Sequence, residues 1–245
     1  MTDNQIIFHK MRILPKLLLI GLSLWLFGCN NQQKEYDSRA VQKLDNLVQT
    51  IGDLHSCSYT LHVLKSKKDE SGEFETISNE HDVYMRGPDK MYIYSNGALG
   101  RIAYWYDGDS LSYFSFDNNK YKSYKAPGNI LSTIDTIHQI YHIDFPAADF
   151  FYPTLTDDIL NYYDELTYLG ETEDEGINTV LIEASNQDEI LSIWIENETN
   201  LPHRLVIESK SGENYDALFS NWRLNPEFND QMFLFSPPEG SIKAE

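Results

Sequence analysis

The chain is predicted to be mainly β: one long antiparallel meander, preceded by a helix and interrupted by another. Two observations carry that class. From Ser56 onward, apolar residues alternate with polar ones in short runs rich in Tyr, Phe, Val, Ile and Thr, and turn pairs such as Asn96-Gly97 and Asp107-Gly108 separate the runs. Only two windows depart from this period of two, and both carry helical spacing.

The first helical window is Val41, Leu44, Leu47, Val48, Ile51 and Leu54, an amphipathic stripe. Strands follow at 56–64, 82–86, 91–94, 101–106, 111–116 and 121–124, with Asp69-Glu70-Ser71-Gly72, Gly87-Pro88-Asp89 and Asp117-Asn118-Asn119 among the turns between them. Pro127-Gly128 stops the last of these. Ile130, Leu131, Ile134, Ile137 and Tyr141 then recover helical spacing, so a second helix is placed at 129–143, with Pro146 closing its neighbourhood. Strands resume at 167–171, 177–184, 190–195, 203–208 and 215–222, and Phe233 and Phe235 lie close to the end. Both faces of 101–106 are apolar, Ile102, Tyr104 and Tyr106 on one and Ala103 and Trp105 on the other. Each face therefore needs cover, and the two helices are the cover available.

The N-terminal region has its own logic. Arg12 and Lys16 precede an apolar run at 17–27, then Gly28 and Cys29, the order of a bacterial lipoprotein signal whose cysteine is lipidated and becomes the first mature residue. The run is shorter than the roughly 20 apolar residues of a membrane-spanning helix, so a permanent transmembrane anchor is the weaker reading. The residues before Met11 fit a signal poorly, which points to Met11 as the start of translation, with Met1 as the alternative. Residues 1–28 are thus read as signal, 29–37 as a lipidated tether and 38–245 as one domain, long enough for a sizeable core.

The signal carries a net charge of +2, so its removal takes the formal charge from −19 to −21. An acidic protein without a basic cluster is excluded from nucleic-acid binding and repels anionic headgroups, so acyl chains and not charge would attach it to a membrane. Once Cys29 is lipidated, the remaining cysteine is Cys57, and no intramolecular disulfide can form. Cys57 shares the apolar phase of Tyr59, Leu61 and Val63; it is read as a buried small hydrophobe, with a reactive thiol as the alternative.

Motifs for chemistry are few. The chain has no Gly-x-Ser-x-Gly elbow, phosphate-cradling glycine loop or His-Glu-x-x-His. Asp135, His138 and His142 fall on one side of the second helix with Asp144 and Asp149 nearby, a donor set that suits zinc or iron. The plainer reading makes this the solvated face opposite Ile134, Ile137 and Tyr141. The acidic run 171–175 lacks the ligand spacing of a calcium loop and reads as a solvated turn. No metal and no cofactor is assigned. Aromatic residues make up 13% of the chain and concentrate on strands, either as cross-strand pairs or as the lining of an apolar cavity under a curved sheet.

Several landmarks taken in order resemble those of a family of predicted periplasmic proteins of unknown function. They are Arg86-Gly-Pro-Asp-Lys90, Tyr106-Asp-Gly108, Tyr124-Lys-Ala-Pro-Gly128, Asp144-Phe-Pro-Ala-Ala-Asp149, Trp194-Ile-Glu with Leu201-Pro-His-Arg-Leu-Val-Ile207, Phe219-Ser-Asn-Trp222 and Phe233-Leu-Phe-Ser-Pro-Pro-Glu-Gly240. The match runs over about 44–240, and Gly87 between Arg86 and Pro88 is its one departure. The family resembles the LolA-like group of envelope proteins. That resemblance implies an incomplete antiparallel β-barrel with helices closing an apolar cavity, and a role in binding lipoprotein acyl chains as carrier, acceptor or lipid sensor. It implies no catalytic residues.

The expectation is therefore a non-enzymatic, lipid-anchored envelope protein that binds a lipid or lipoprotein acyl chain. An interaction module with a filled core and a metal-dependent enzyme are the alternatives. Asn30 after the cysteine resembles an outer-membrane sorting signal, and Gln33-Lys34-Glu35 faintly resembles a surface-export tether. The expected cavity lining is Leu61, Val63, Val83, Met85, Met91 and Ile93, which share one alternation phase and form one surface if neighbouring strands pair in sequence order. The two methionines suit a surface that adapts to flexible chains.

Overall fold

The computed structural model describes residues 34–244, apart from 69, 70, 99, 142 and 144. Cys29 and the 17–27 run lie outside the described residues. Among the described residues no helix is long and apolar enough to cross a membrane.

Among the described residues thirteen strands form one sheet that curves without closing into a barrel, with the order β1-β8-β9-β10-β11-β12-β2-β3-β4-β5-β6-β7-β13. The first meander is β2 (Ser56–Lys68), β3 (Phe74–Arg86), β4 (Lys90–Gly97), β5 (Gly100–Tyr106), β6 (Ser110–Ser115) and β7 (Lys120–Lys125). The second is β8 (Glu165–Asp174), β9 (Ile177–Ser185), β10 (Glu189–Glu196), β11 (Pro202–Ser209) and β12 (Asn214–Leu224). Pairing of β12 with β2 joins them, Phe219 opposite Leu61. Two short strands, β1 (Glu35–Tyr36) and β13 (Ile242–Lys243), add in parallel to β8 and β7. Sequential antiparallel pairing follows from the turns. At Asp107-Gly108 the glycine has φ 95°, and a Cβ there would collide with the Asp89 carboxylate.

Strands β2 and β3 outrun their sequence-predicted ends, because 65–68 and 74–80, mostly polar apart from Phe74 and Ile77, continue pairing after the regular apolar alternation has stopped. A third helix, α3 (Leu155–Tyr162), was not predicted; it is too short to show a period, and only Leu155, Thr156 and Ile159 bury from it. The Gly87-Pro88 peptide is cis.

The prediction that the helices cover opposite faces is corrected. Helix α1 (Ser38–Gly52) starts at Asp37, whose side chain accepts from Arg39 N at 2.8 Å. It buries Ala40, Leu44, Leu47 and Ile51 in the concave-side core, each large aliphatic worth about 1.5–3 kcal/mol. Helix α2 (Ile130–Tyr141) packs into the same core through Ile130, Ile134 and Ile137. The convex face of the first meander is covered instead by the C-terminal segment. There Phe228 meets Tyr84 with ring centroids 5.9 Å apart, and Phe235 lies 5.0 Å from Trp105 and 5.5 Å from Tyr121. Arg86 fastens the segment through Asp230 at 2.5 Å. Phe233 belongs to a short 3-10 turn, Asp230–Phe233, and is fully buried.

The solvated-face reading of α2 is also corrected: His138 and Thr133 are buried beside Ile134 and Ile137, since a helix seated in the opening of a half-barrel is covered over a wider arc than a helix lying on a surface. Asp149, in the 3-10 turn Ala148–Phe151, is buried too.

Candidate functional site

The concave face holds a partly open cavity of about 440 Å³, within the range of small-molecule sites. All six residues singled out from the sequence stand on its wall: Leu61 and Val63 from β2, Val83 and Met85 from β3, Met91 and Ile93 from β4. Strand register brings them together, with Val83 opposite Ile93 and Met85 opposite Met91. Ile130 and Ile134 of α2, followed by Ile143, Phe145 and Pro146, supply the roof. Tyr104 and Phe151 close the sides.

The cavity also has polar walls that sequence reasoning missed. His81 and Ser95 share the phase of Val83 and Ile93 and face each other across β3 and β4, with His81 Nδ1 2.7 Å from Ser95 Oγ. Their phase was readable, but a polar residue in an apolar phase carries no sign of whether it faces a core or a cavity. Burial pushes the His81 imidazole down to about 4, so the ring is neutral at neutral pH. Farther along lie Asn79, Lys65 and Gly97. Glycine is required at 97, since a Cβ would collide with the Asn79 side-chain amide.

Cys57 is 3% exposed, and burial pushes its thiol up to about 12, which favours the unreactive of its two readings. The α2 cluster is committed elsewhere: Tyr152 OH donates to Asp135 at 2.6 Å, while His142 and Asp144 lie outside the described residues. Among the described residues no three His, Cys, Asp or Glu side chains gather around one metal position. In the acidic run, Asp174 accepts from His203 Nε2 at 3.1 Å and from Arg204 at 3.2 Å. Arg204 also pairs with Asp216 at 2.6 Å. These contacts tie β8, β11 and β12 together and leave Asp174 a structural ion-pair partner.

A family model described as "Predicted periplasmic protein (DUF2092)" matches residues 40–245. No curated protein matches the chain. Among solved structures, an uncharacterized conserved protein from Thermus thermophilus is similar with a TM-score of 0.51 at 10% identity, over 84% of this chain and 98% of that one. The Mycobacterium tuberculosis lipoprotein LppX is similar at 14% identity and a TM-score of 0.49, over 79% and 98% of the two chains. A LolA superfamily protein from Nitrosomonas europaea is similar at 10% identity and a TM-score of 0.35, over 80% and 96%.

Proposed function

The chain belongs to the DUF2092 family of predicted periplasmic proteins, and from that premise we propose that it is a lipid-anchored envelope protein that takes an apolar ligand, an acyl chain or lipid, into its concave cavity. The observation that carries this reading is the cavity itself. A sheet built to pack a core would fill such a space with side chains, because protein interiors are close-packed. Here a volume of about 440 Å³ is bordered by Val83, Met85, Met91, Ile93, Ile130 and Ile134. At roughly 30 Å³ per non-hydrogen atom it admits on the order of 15 atoms, the bulk of one acyl chain.

The protein acts by holding its ligand, without a catalytic step, as an acceptor or sensor fixed at the outer membrane on its periplasmic side. Two measurements test the reading. Met85→Ala and Ile93→Ala are expected to cost well under the 2–5 kcal/mol typical of dry-core truncations while lowering uptake of a fluorescent acyl probe. Large destabilisation with unchanged uptake, or no uptake by the wild type, rejects the cavity assignment. For the anchor, Cys29→Ala is expected to move the protein from the membrane to the soluble fraction and to abolish acyl labelling; persistent membrane association rejects it.

A further inference from the structure

On β3 and β4 the side chains that line the cavity change from apolar to polar along the strands, while β2 stays apolar beside them. Successive two-residue steps on β3 and β4 place Met85 opposite Met91, Val83 opposite Ile93, His81 opposite Ser95 and Asn79 opposite Gly97. On β2 the partners of the same β3 residues are Cys57, Tyr59, Leu61 and Val63. On β3 and β4 two apolar steps are thus followed by two polar ones, and Ile77 stands opposite Lys65 one step farther on. At about 3.4 Å per residue, the His81 level stands roughly 14 Å from the Met85 level.

His81 is 9% exposed and lies on the cavity wall. Its Nδ1 is engaged by Ser95 Oγ, itself buried. The 2.7 Å contact suits either direction; with the serine O–H pointed at Nδ1, a neutral ring carries its proton on Nε2. Nε2 is buried with no hydrogen-bond partner. A buried donor without an acceptor is rare in folded proteins, and in the wall of a ligand cavity it indicates where a ligand acceptor belongs.

We propose that His81 Nε2–H donates to an uncharged carbonyl at the head of the ligand, an acyl ester or amide, whose chain runs along the wall toward Met85 and Met91. This rests on the cavity reading and adds to it a direction and a head-group class. The head is uncharged because a carboxylate would shed its water against a neutral donor in a strongly acidic protein of formal charge −19. Lys65, the nearest cation on the wall, stands four strand steps of two residues from Cys57 and two from Leu61, beyond His81 toward the polar end.

The test uses the full chain purified from membranes into amphipol. Methyl palmitate, N-methyl palmitamide, palmitate and hexadecane each compete against the fluorescent acyl probe. The ester or the amide is expected to bind about tenfold more tightly than hexadecane, the size of effect a single buried hydrogen bond produces, and more tightly than palmitate. An ester preference assigns a glycerolipid source; an amide preference assigns an N-acylated chain. In His81→Leu the carbonyl advantage should fall to within about twofold while hexadecane binds at least as well, and Ser95→Ala should erode the advantage by about threefold through loss of the tautomer. A carbonyl preference unchanged in both variants overturns the head-group assignment and leaves the cavity standing, as does a wild type that binds palmitate best. Failure of the wild type to bind any probe overturns the cavity reading itself.

Discussion

Replacing Phe219 by alanine is expected to lower folding stability by about 3–5 kcal/mol, a large share of the roughly 5–15 kcal/mol that holds a typical domain together. The ring is 2% exposed and sits where the two meanders join, on β12 opposite Leu61. It stacks on Trp222 at 5.7 Å, meets Phe150 edge-on at 5.4 Å and tilts against Tyr59 at 5.4 Å. Truncation removes one ring from three aromatic pairs and leaves a void that strand pairing on both sides prevents from collapsing. Denaturant unfolding of Phe219→Ala and Phe219→Leu checks this. The leucine variant should retain most of the stability, and an alanine variant within about 1 kcal/mol of the wild type would contradict the account.

The second large effect depends on pH. Burial lowers His81 from an ordinary value of 6.5 to about 4, opposed weakly by the charge of Asp82 beside it. Between those two values the unfolded chain holds a proton that the folded chain does not, so stability falls as pH falls through the window from 6.5 to 4. At about 1.4 kcal/mol per unit the full loss is about 3 kcal/mol. Carboxylates add their own acid lability: hydrogen bonds from Arg39 hold Asp37 down to about 2, so its contribution fades at lower pH than that of His81. The comparison with His81→Leu isolates the histidine. Unfolding free energies measured from pH 7 to pH 4 should diverge in the variant's favour as pH drops; parallel curves would place His81 in a solvated setting.

The fold class was legible because its determinants are local. Alternation and turn pairs specify each hairpin, and hairpins in series specify an antiparallel meander. What escaped was non-local. Nothing in Phe228, Phe233 and Phe235 says that their segment returns to cover Tyr84, Trp105 and Tyr121, residues more than a hundred positions earlier. The breadth of the buried arc on α2 depends on what surrounds the helix, so His138 looked solvated when it is enclosed. In the candidate site the same division holds. The apolar lining follows from phase and register, whereas His81 and Ser95 become intelligible only once a space is seen beside them.

The way the chain enters its sheet bears on how far the protein can travel. Glu35–Tyr36 pairs with β8, Lys34 Nζ donates to the carbonyls of Leu160 and Asn161 at 2.8 and 2.9 Å, and Tyr36 OH donates to that of Leu160. The tether read from the sequence as 29–37 is therefore docked from Lys34 onward. With Cys29 acylated, about five peptide steps remain to link lipid to fold, a leash of at most about 18 Å fully extended and shorter than the domain is wide. An acyl anchor at Cys29 would on so short a leash moor the domain against its own bilayer and keep it from swinging to the opposite one. A domain held in that way would have its ligand delivered to it or drawn from the leaflet beneath, and lengthening the segment with a flexible insert would separate those two routes.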